Sequence, residues 1–169
     1  MIQFNIPVIL IIMGVSGSGK STIGKLLSTA LDIEFYDGDD FHPQENIEKM
    51  SAGHPLNDHD RAGWLTAIHD FSLEQIQQQQ SCIIACSALK QSYRDVLLKD
   101  MEDHLKFVYL KGDFQTIQTR LAMRKSHFMP TALLKSQFDT LEPPANAITA
   151  DLKLSPDEIV AQIVKKLDK

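Results

Sequence analysis

The segment at residues 14–21, GVSGSGKS, constrains this chain more than any other, because it fits the phosphate-binding pattern G-x-x-x-x-G-K-[ST]. The apolar run at residues 8–13 before it predicts a strand that is buried on both faces. Apolar residues at helical spacing follow it, at residues 23–31. A strand, a glycine-rich turn and a helix in this order are the context in which the pattern forms a P-loop.

Each residue type in this segment suits the binding of a nucleoside triphosphate. The glycines let backbone N–H groups approach an anion without a Cβ in the way, and the helix N-terminus adds partial positive charge. Lys20 can reach the β- and γ-phosphates, and Ser21 offers a hydroxyl to Mg²⁺. The residues predicted to bind the nucleotide here are Gly14, Val15, Ser16, Gly17, Ser18, Gly19, Lys20 and Ser21.

The totals of the chain fit one domain over residues 1–169. A net charge of −5 argues against a nucleic-acid binder, and no apolar run approaches the roughly 20 residues that span a bilayer. Residues 1–6 lack the basic start of a signal peptide. The two cysteines, Cys82 and Cys86, would lie about 13 Å apart on one strand, so we expect small buried side chains and no disulfide.

Apolar runs alternate with helical patterns along the chain, which predicts an α/β fold with a parallel sheet and helices on both faces. The residues themselves leave the strand order open. The five predicted strands lie at residues 8–13, 33–36, 81–87, 107–110 and 147–152.

Two carboxylates follow the second predicted strand, at Asp37 and Asp39. The carboxyl ends of parallel strands face the ligand crevice, so these side chains are placed to meet Mg²⁺ and substrate. The third strand, residues 81–87, ends without the carboxylate that ATPase motors and GTPases use, which moves the acidic role to this pair. In an extended geometry both carboxylates point the same way. The alternative is an ordinary acidic turn.

Two sets of cations are candidates for anion binding. Arg61 lies in the first turn of a helix that Asp58 or Asp60 is predicted to cap, where the helix dipole disfavours a cation. It is therefore either salt-bridged or directed at an anionic ligand. Lys90 and Arg94 share a helix face at i, i+4 spacing, which is also typical of a solvated basic face.

Arg120 and Arg124 share a helix face just before a basic stretch that ends in a proline. A small kinase needs a flap that closes over the phosphates and supplies arginine to the transferred group. We therefore predict a lid at about residues 124–132, with both arginines on the nucleotide. The alternative is an exposed helix end with favourable C-terminal cations.

Several segments together resemble the gluconokinase family, a branch of the shikimate-kinase-like P-loop kinases. The resemblance extends from about residue 8 to about residue 143. It rests on MGVSGSGKS at 13–21, DGDDFHP at 37–43, NIEKM at 46–50, PLND at 55–58, DR at 60–61, WL at 64–65, CSALK at 86–90, YRD at 93–95, YLKGDF at 109–114 and QFDTLEP at 137–143.

The resemblance implies ATP- and Mg²⁺-dependent phosphorylation of D-gluconate to 6-phosphogluconate, which feeds the pentose phosphate and Entner–Doudoroff routes. It also implies the strand order 2-3-1-4-5 and a cytoplasmic homodimer. Two other functions compete with this one: a related kinase with another acid or a nucleoside as acceptor, and a nucleotide-dependent switch. The absence of an N-K-x-D guanine motif argues against the switch.

For a substrate with a carboxylate at one end and the reacting hydroxyl at the other, Arg61 is predicted to grip the carboxylate. Asp39 is the predicted general base, and Asp37 joins Ser21 as a magnesium ligand. Lys20 and Arg124, with Arg120, are predicted to neutralise the transferred phosphoryl group. The residues themselves do not indicate how Lys90, Tyr93 and Arg94 act. The predicted substrate contacts are Asp39, His42, Arg61, Ser87, Lys90 and Arg94.

Overall fold

The computed structural model describes residues 2–123 and 131–169. Strands and helices alternate through these residues, as the apolar pattern predicts. None of the helices there has the length and apolarity needed to cross a membrane. The elements are β1 (Ile9–Met13), α1 (Lys20–Leu31), β2 (Glu34–Asp37), a 3₁₀ turn (Gly38–Phe41), α2 (Gln44–Ser51), α3 (Asp58–Gln77), β3 (Cys82–Ala85), α4 (Gln91–Leu98), β4 (Leu105–Lys111), α5 (Phe114–Ala122), α6 (Thr131–Thr140), β5 (Ile148–Asp151) and α7 (Pro156–Leu167).

The five strands form one parallel sheet in the order β2-β3-β1-β4-β5. Both the five-stranded parallel sheet and the order that the resemblance implies are confirmed. In the register of the sheet, Ile12 of β1 lies beside Ala85 of β3, and Met13 lies beside Tyr109 of β4. The carboxyl ends of the three central strands therefore meet at one edge, where the P-loop begins.

The central strand β1 separates two apolar layers. Leu10 and Ile12 pack with residues of α1 and α7, whereas Ile9, Ile11 and Met13 pack with residues of α3 and α4. Every residue of β1 is buried. This arrangement explains the unbroken apolar run, because a strand covered on both faces has no polar side.

The N-caps of α5 and α7 are residues whose type and neighbours in the sequence favour capping, whereas the N-cap of α3 differs from the predicted one. Ser155, which precedes Pro156 and stands three residues before Glu158, has the sequence pattern of an N-cap, and it caps α7 in a capping box with Glu158. Asp113, a residue type favoured at N-caps, caps α5 by accepting from the Thr116 N–H. The prediction that Asp58 or Asp60 caps α3 is wrong. Asn57 is the N-cap, because its side-chain oxygen accepts from the Asp60 N–H at 2.8 Å.

Both cysteine thiols are free and buried, as predicted. Burial raises the pKa of Cys82 and of Cys86 to about 12. The thiols are therefore protonated at neutral pH and behave as small apolar side chains.

The 3₁₀ turn depends on a glycine at its first position. Gly38 is buried, and a Cβ there would lie 2.2 Å from the carbonyl oxygen of Ala85 at the end of β3. Such an approach cannot be relieved by side-chain rotation, because the neighbour is backbone. The absence of a side chain at Gly38 is what lets the acidic turn lie against the edge of the sheet.

We expect Gly38→Ala to lower the free energy of unfolding by about 1–3 kcal/mol, because the added methyl forces β2 and β3 apart. Gly63→Ala is the matched control, since Gly63 is an exposed helical position where a Cβ would meet nothing within 4 Å. That variant should gain about 0.5–1 kcal/mol through helix propensity. Urea denaturation of the two variants measures both effects, and equal stabilities would contradict the close approach at Gly38.

Candidate active site

The P-loop connects β1 to α1 and is contacted by the segment that follows β3 and by helix α5. The Gly14 N–H donates to the Ser87 carbonyl, at the end of β3, over 3.3 Å. Gly17 has φ of 80°, and a Cβ there would lie 2.6 Å from Cδ2 of Leu121 in α5. The P-loop is therefore closely packed against α5, and Gly17 has no room for a side chain.

The ammonium group of Lys20 lies against the first part of the P-loop. Its Nζ donates to the carbonyl oxygens of Gly14 and Val15, at 3.1 Å each. The phosphate oxygens of a bound nucleotide would compete with these two carbonyl oxygens for the Lys20 ammonium group. Contact between Lys20 and phosphate stays a prediction, with a geometry that favours it.

Two oxygen ligands suited to Mg²⁺ lie next to each other. Ser21 Oγ donates to Asp37 Oδ2 at 3.5 Å, which joins the start of α1 to the end of β2. Mg²⁺ in kinases is commonly held by one or two protein oxygens together with phosphates and water. No group of three or more acidic, histidine or cysteine side chains among residues 2–123 and 131–169 is arranged to hold a metal ion by itself. The pair Ser21 and Asp37 thus fits a magnesium ion that is shared with a nucleotide.

Asp39 lies in the 3₁₀ turn, so the extended geometry predicted for residues 37–39 is wrong. Its N–H donates to Asp37 Oδ1 at 3.0 Å, and Asp37 serves as the cap of the turn. The Asp39 side chain is 84% exposed, although the surrounding protein still reduces the hydration of its charged form. That loss of hydration, and secondly the charge of Asp37, raise the pKa of Asp39, while the charges of His42 and Lys20 oppose the rise.

His42 lies beside Asp39 with only 6% of its side chain exposed. Its ring stacks on Trp64 with centroids 4.4 Å apart, and its Nε2 is 4.0 Å from Asp39 Oδ1. Burial is the main cause that lowers the pKa of His42, and the charge of Arg61 lowers it further, although Asp39 opposes them. The ring is therefore neutral at neutral pH.

The tautomer of His42 follows from its second neighbour. Asn46 Nδ2 donates to the Asp60 carbonyl at 2.9 Å, which fixes the orientation of the carboxamide, and the same nitrogen lies 3.3 Å from His42 Nδ1. Nδ1 is then the acceptor, and the ring proton sits on Nε2, facing Asp39. Sequence reasoning assigned no role to Asn46 or Trp64, although both lie in segments that carry the family resemblance.

Trp64 also fixes the acidic turn. Its Nε1–H donates to the Gly38 carbonyl at 2.7 Å, a buried contact between α3 and the 3₁₀ turn. Helix α3 thereby positions the turn that holds Asp39 and the ring of His42. The spacing of Trp64 along the sequence predicts that it lies on the buried face of α3, but it does not predict the hydrogen bond from Trp64 to Gly38.

Arg61 belongs to a cluster of charged and polar groups around Asp58. Arg61 Nη1 donates to the Tyr93 hydroxyl at 3.3 Å and lies 3.8 Å from Asp58 Oδ1. The Tyr93 hydroxyl donates to Asp58 Oδ1 at 2.5 Å, and Lys90 Nζ donates to both oxygens of Asp58 at 3.1 and 3.2 Å. The hydrogen bonds from Tyr93 first, and from Lys90 second, lower the pKa of Asp58.

The sequence left open whether Arg61 is salt-bridged or directed at an anionic ligand, and this cluster answers that question in part. Arg61 has an ion-pair contact, yet 32% of its side chain and 33% of that of Lys90 remain exposed. Two cations share one carboxylate, so the cluster carries an excess of positive charge. An incoming carboxylate would meet both a guanidinium and an ammonium group there.

Arg94 is far from solvent, so the alternative of a solvated basic face shared with Lys90 is wrong. Only 2% of Arg94 is exposed. Its guanidinium donates to the carbonyls of Ala88 and Glu142 at 2.7 Å and to that of Leu89 at 3.2 Å. These bonds order the β3–α4 connection that holds Ser87 and Lys90. Contact of Arg94 or Ser87 with substrate stays a prediction.

A cavity of about 330 Å³ opens on the other side of the P-loop, between α5 and the start of α7. Arg120 lines it, with its guanidinium donating to the Leu152 carbonyl. Arg124 and the predicted lid at about residues 124–132 lie largely outside the described residues, which exclude 124–130. Other residues that line the cavity are Gly17, Gly19, Thr22, Pro156 and Ile159.

Comparison with known proteins places the chain in a family. The shikimate kinase family matches residues 16–168. A probable gluconokinase of Mus musculus is 44% identical over 95% of this chain and 98% of its own length. The thermosensitive gluconokinase of Escherichia coli (strain K12) is 50% identical over 79% of this chain and 71% of its own length. A crystal structure of a gluconokinase from Sinorhizobium meliloti 1021 superposes with a TM-score of 0.86 at 40% identity, covering 97% of this chain and 93% of its own.

We expect the carboxyl group of Asp39 to protonate first, and that of Asp58 later, as the pH falls. The pKa of Asp39 is raised above its ordinary value of 3.8, chiefly by lost hydration and then by Asp37, and that of Asp58 is lowered below 3.8. Carbon-detected NMR titration of the aspartate carboxyls measures both, and the resonance of Asp39 is identified by its loss in Asp39→Asn. The reverse order of titration would contradict the electrostatics described for the crevice.

Proposed function

Because this chain belongs to the gluconokinases of the shikimate kinase family, we propose that it transfers the γ-phosphoryl group of ATP to the terminal hydroxyl of D-gluconate. The product is 6-phospho-D-gluconate. One observation carries the proposal: Asp39 lies in the turn that Asp37 caps next to Ser21 of the P-loop, and its Oδ1 is 4.0 Å from His42 Nε2. In the proposed arrangement, Asp39 would act as the general base between the nucleotide phosphates at the P-loop and a substrate carboxylate at Arg61.

Asp39 is the group that takes the proton. As the acceptor hydroxyl attacks the γ-phosphorus, its O–H proton passes to the Asp39 carboxylate, and the bond from phosphorus to the β-phosphate oxygen breaks to release ADP. The raised pKa of Asp39 suits this role, because a carboxylate of higher pKa is a stronger base. The Nε2–H of neutral His42 faces the same carboxylate and helps to orient it.

The P-loop side of the crevice would hold the donor. Lys20 would leave the carbonyls of Gly14 and Val15 to meet phosphate oxygens, which are stronger acceptors for a cation. Ser21 and Asp37 would hold Mg²⁺, which when bound neutralises charge on the β- and γ-phosphates. The cavity lined by Arg120 and Pro156 would receive the nucleoside end of ATP.

The cluster around Asp58 would hold the acceptor. The carboxylate of gluconate would pair with the Arg61 guanidinium, supported by Lys90 and the Tyr93 hydroxyl. Asp58 already holds these donors, so the substrate carboxylate has to share or replace its contacts. The polyol chain would then extend toward Asp39, with its terminal hydroxyl at the base.

We further propose that the protein acts as a cytoplasmic homodimer whose product enters the pentose phosphate route, as the family resemblance implies. The experiment that tests the function is a coupled assay of ATP consumption, with Mg²⁺, across D-gluconate, other sugar acids, shikimate and nucleoside monophosphates. We expect D-gluconate to give the highest kcat/KM. Turnover of another acceptor instead would assign a related kinase activity, and nucleotide binding without turnover of any acceptor would overturn the proposal.

We expect Arg61→Ala to raise the KM for gluconate strongly and to leave the KM for ATP almost unchanged. Loss of one charge-assisted pair costs about 2–3 kcal/mol, which corresponds to about 30- to 150-fold. Arg61→Lys keeps the charge and loses the bidentate fork, so its KM for gluconate should lie between those of the wild type and Arg61→Ala. Steady-state kinetics with each substrate varied will measure the effect, and an unchanged gluconate KM in Arg61→Ala would remove this residue from the site.

We expect Asp39→Asn to lower the rate of phosphoryl transfer by about 10²–10⁴-fold, because asparagine keeps the shape and cannot take a proton. Nucleotide binding should stay near normal. Asp37→Asn should instead raise the Mg²⁺ concentration needed for half-maximal activity, and Asp40→Asn is the matched control in the same turn. Single-turnover rates across Mg²⁺ concentrations separate the three. If excess Mg²⁺ restored Asp39→Asn, the roles of Asp37 and Asp39 would be reversed.

A further inference from the structure

Helix α6 is joined to the P-loop by one side chain. Gln137 Oε1 accepts from the Ser16 N–H at 2.6 Å, and Gln137 Nε2 donates to Ser16 Oγ at 2.8 Å. The two residues are 121 positions apart in the sequence and both are half-buried. One carboxamide thus satisfies both the backbone and the side-chain polar group of a single P-loop residue.

The position of Ser16 in the loop gives this contact its meaning. Ser16 directly follows Gly14 and Val15, whose carbonyls hold the Lys20 ammonium group. The opposite end of the loop, at Gly19, leads into the N-terminus of α1. With Lys20 at the β- and γ-phosphates as proposed above, Ser16 would lie at the end of the loop from which the phosphoryl group departs.

The segment that directly follows α6 is fixed to the acceptor side of the crevice. Just beyond the helix, the Glu142 N–H donates to the Leu89 carbonyl at 2.8 Å, and the Gln91 N–H donates to Glu142 Oε1 at 2.8 Å. The buried Arg94 guanidinium donates to the Glu142 carbonyl at 2.7 Å. These contacts reach the connection that holds Lys90 next to Asp58. The C-terminal half of α6, with Glu142 just after it, therefore bridges the phosphate loop and the connection that holds Lys90.

We propose that Gln137 is a positioning residue for phosphoryl transfer: by holding both polar groups of Ser16, it fixes the first half of the P-loop relative to the acceptor cluster. This inference rests on the kinase function proposed above. The carboxamide suits the task because it donates and accepts at once and adds no negative charge beside the phosphates. In-line transfer depends on the donor and acceptor being held at one distance, and a misplacement of about 1 Å can cost about 10²-fold in rate.

The test compares two substitutions at Gln137 with a control on the same helix. Gln137→Ala removes the side chain, and Gln137→Met keeps its length and apolar stem while removing both hydrogen bonds. Lys135→Ala is the control, because Lys135 is exposed and its ion pair with Asp139 stays within α6. Single-turnover rates and the KM values for ATP and gluconate are measured below the melting temperature of every variant, so that only folded protein is compared.

We expect both Gln137 variants to lose about 10- to 100-fold in the single-turnover rate, with the gluconate KM changed by less than about threefold. Lys135→Ala should match the wild type. A rate within twofold of the wild type in Gln137→Met would overturn the inference, since a residue that merely docks α6 would change stability and leave the chemical step of the folded protein intact.

A double-substitution cycle identifies the route of the effect. If Gln137 acts through Ser16, the losses in Gln137→Met and Ser16→Ala are not additive when combined. Additive losses would overturn the proposed route. The failure of the kinase function itself looks different: the wild-type protein would then show no gluconate-dependent consumption of ATP, whatever residue 137 is.

Discussion

The parallel pairing of β1 with β3 on one side and β4 on the other is the constraint on which the rest of the structure depends. It aligns the carboxyl ends of three buried strands, so that the P-loop leaves β1 beside the Ser87 carbonyl at the end of β3. Strand β2 pairs with the edge of β3 that faces away from β1, and this pairing brings Asp37 next to Ser21. Lys20, Ser21, Asp37 and Asp39 thus come to one edge of the sheet because apolar strands are buried together.

The sequence predicted those parts of the fold whose signals are local. The P-loop, the strands of continuous apolar residues and the caps at Asp113 and Ser155 depend on residues within a few positions of one another. The strand order depends on contacts between distant residues, because β1 pairs with strands that lie far along the chain. Only the family resemblance supplied that order. At the start of α3, Asn57 and Asp58 are equally good caps by composition, and the bond to the Asp60 N–H is what distinguishes them.

The candidate site divides in the same way. Lys20, Ser21, Asp37 and Asp39 were predicted from motif and strand position, and the structure brings these four together. The contacts that orient them come from residues distant in the sequence, such as the Trp64 bond to Gly38 and the Gln137 pair with Ser16. Arg94 has the spacing of a surface cation, yet it is buried. The carbonyls of three residues accept hydrogen bonds from its guanidinium and compensate its charge, and the spacing along the sequence does not show these contacts.

The neutral tautomer of His42 has a consequence for the fate of the substrate proton. Its Nε2 already carries a hydrogen and its Nδ1 is occupied by Asn46, so the ring offers no lone pair toward the crevice. A proton taken up by Asp39 therefore has no side-chain relay through this histidine. The Asp39 carboxyl is largely open to water, so in the proposed mechanism bulk solvent would be the direct destination of that proton. Each catalytic cycle would then end with the base regenerated by exchange with water, without a conformational step of its own.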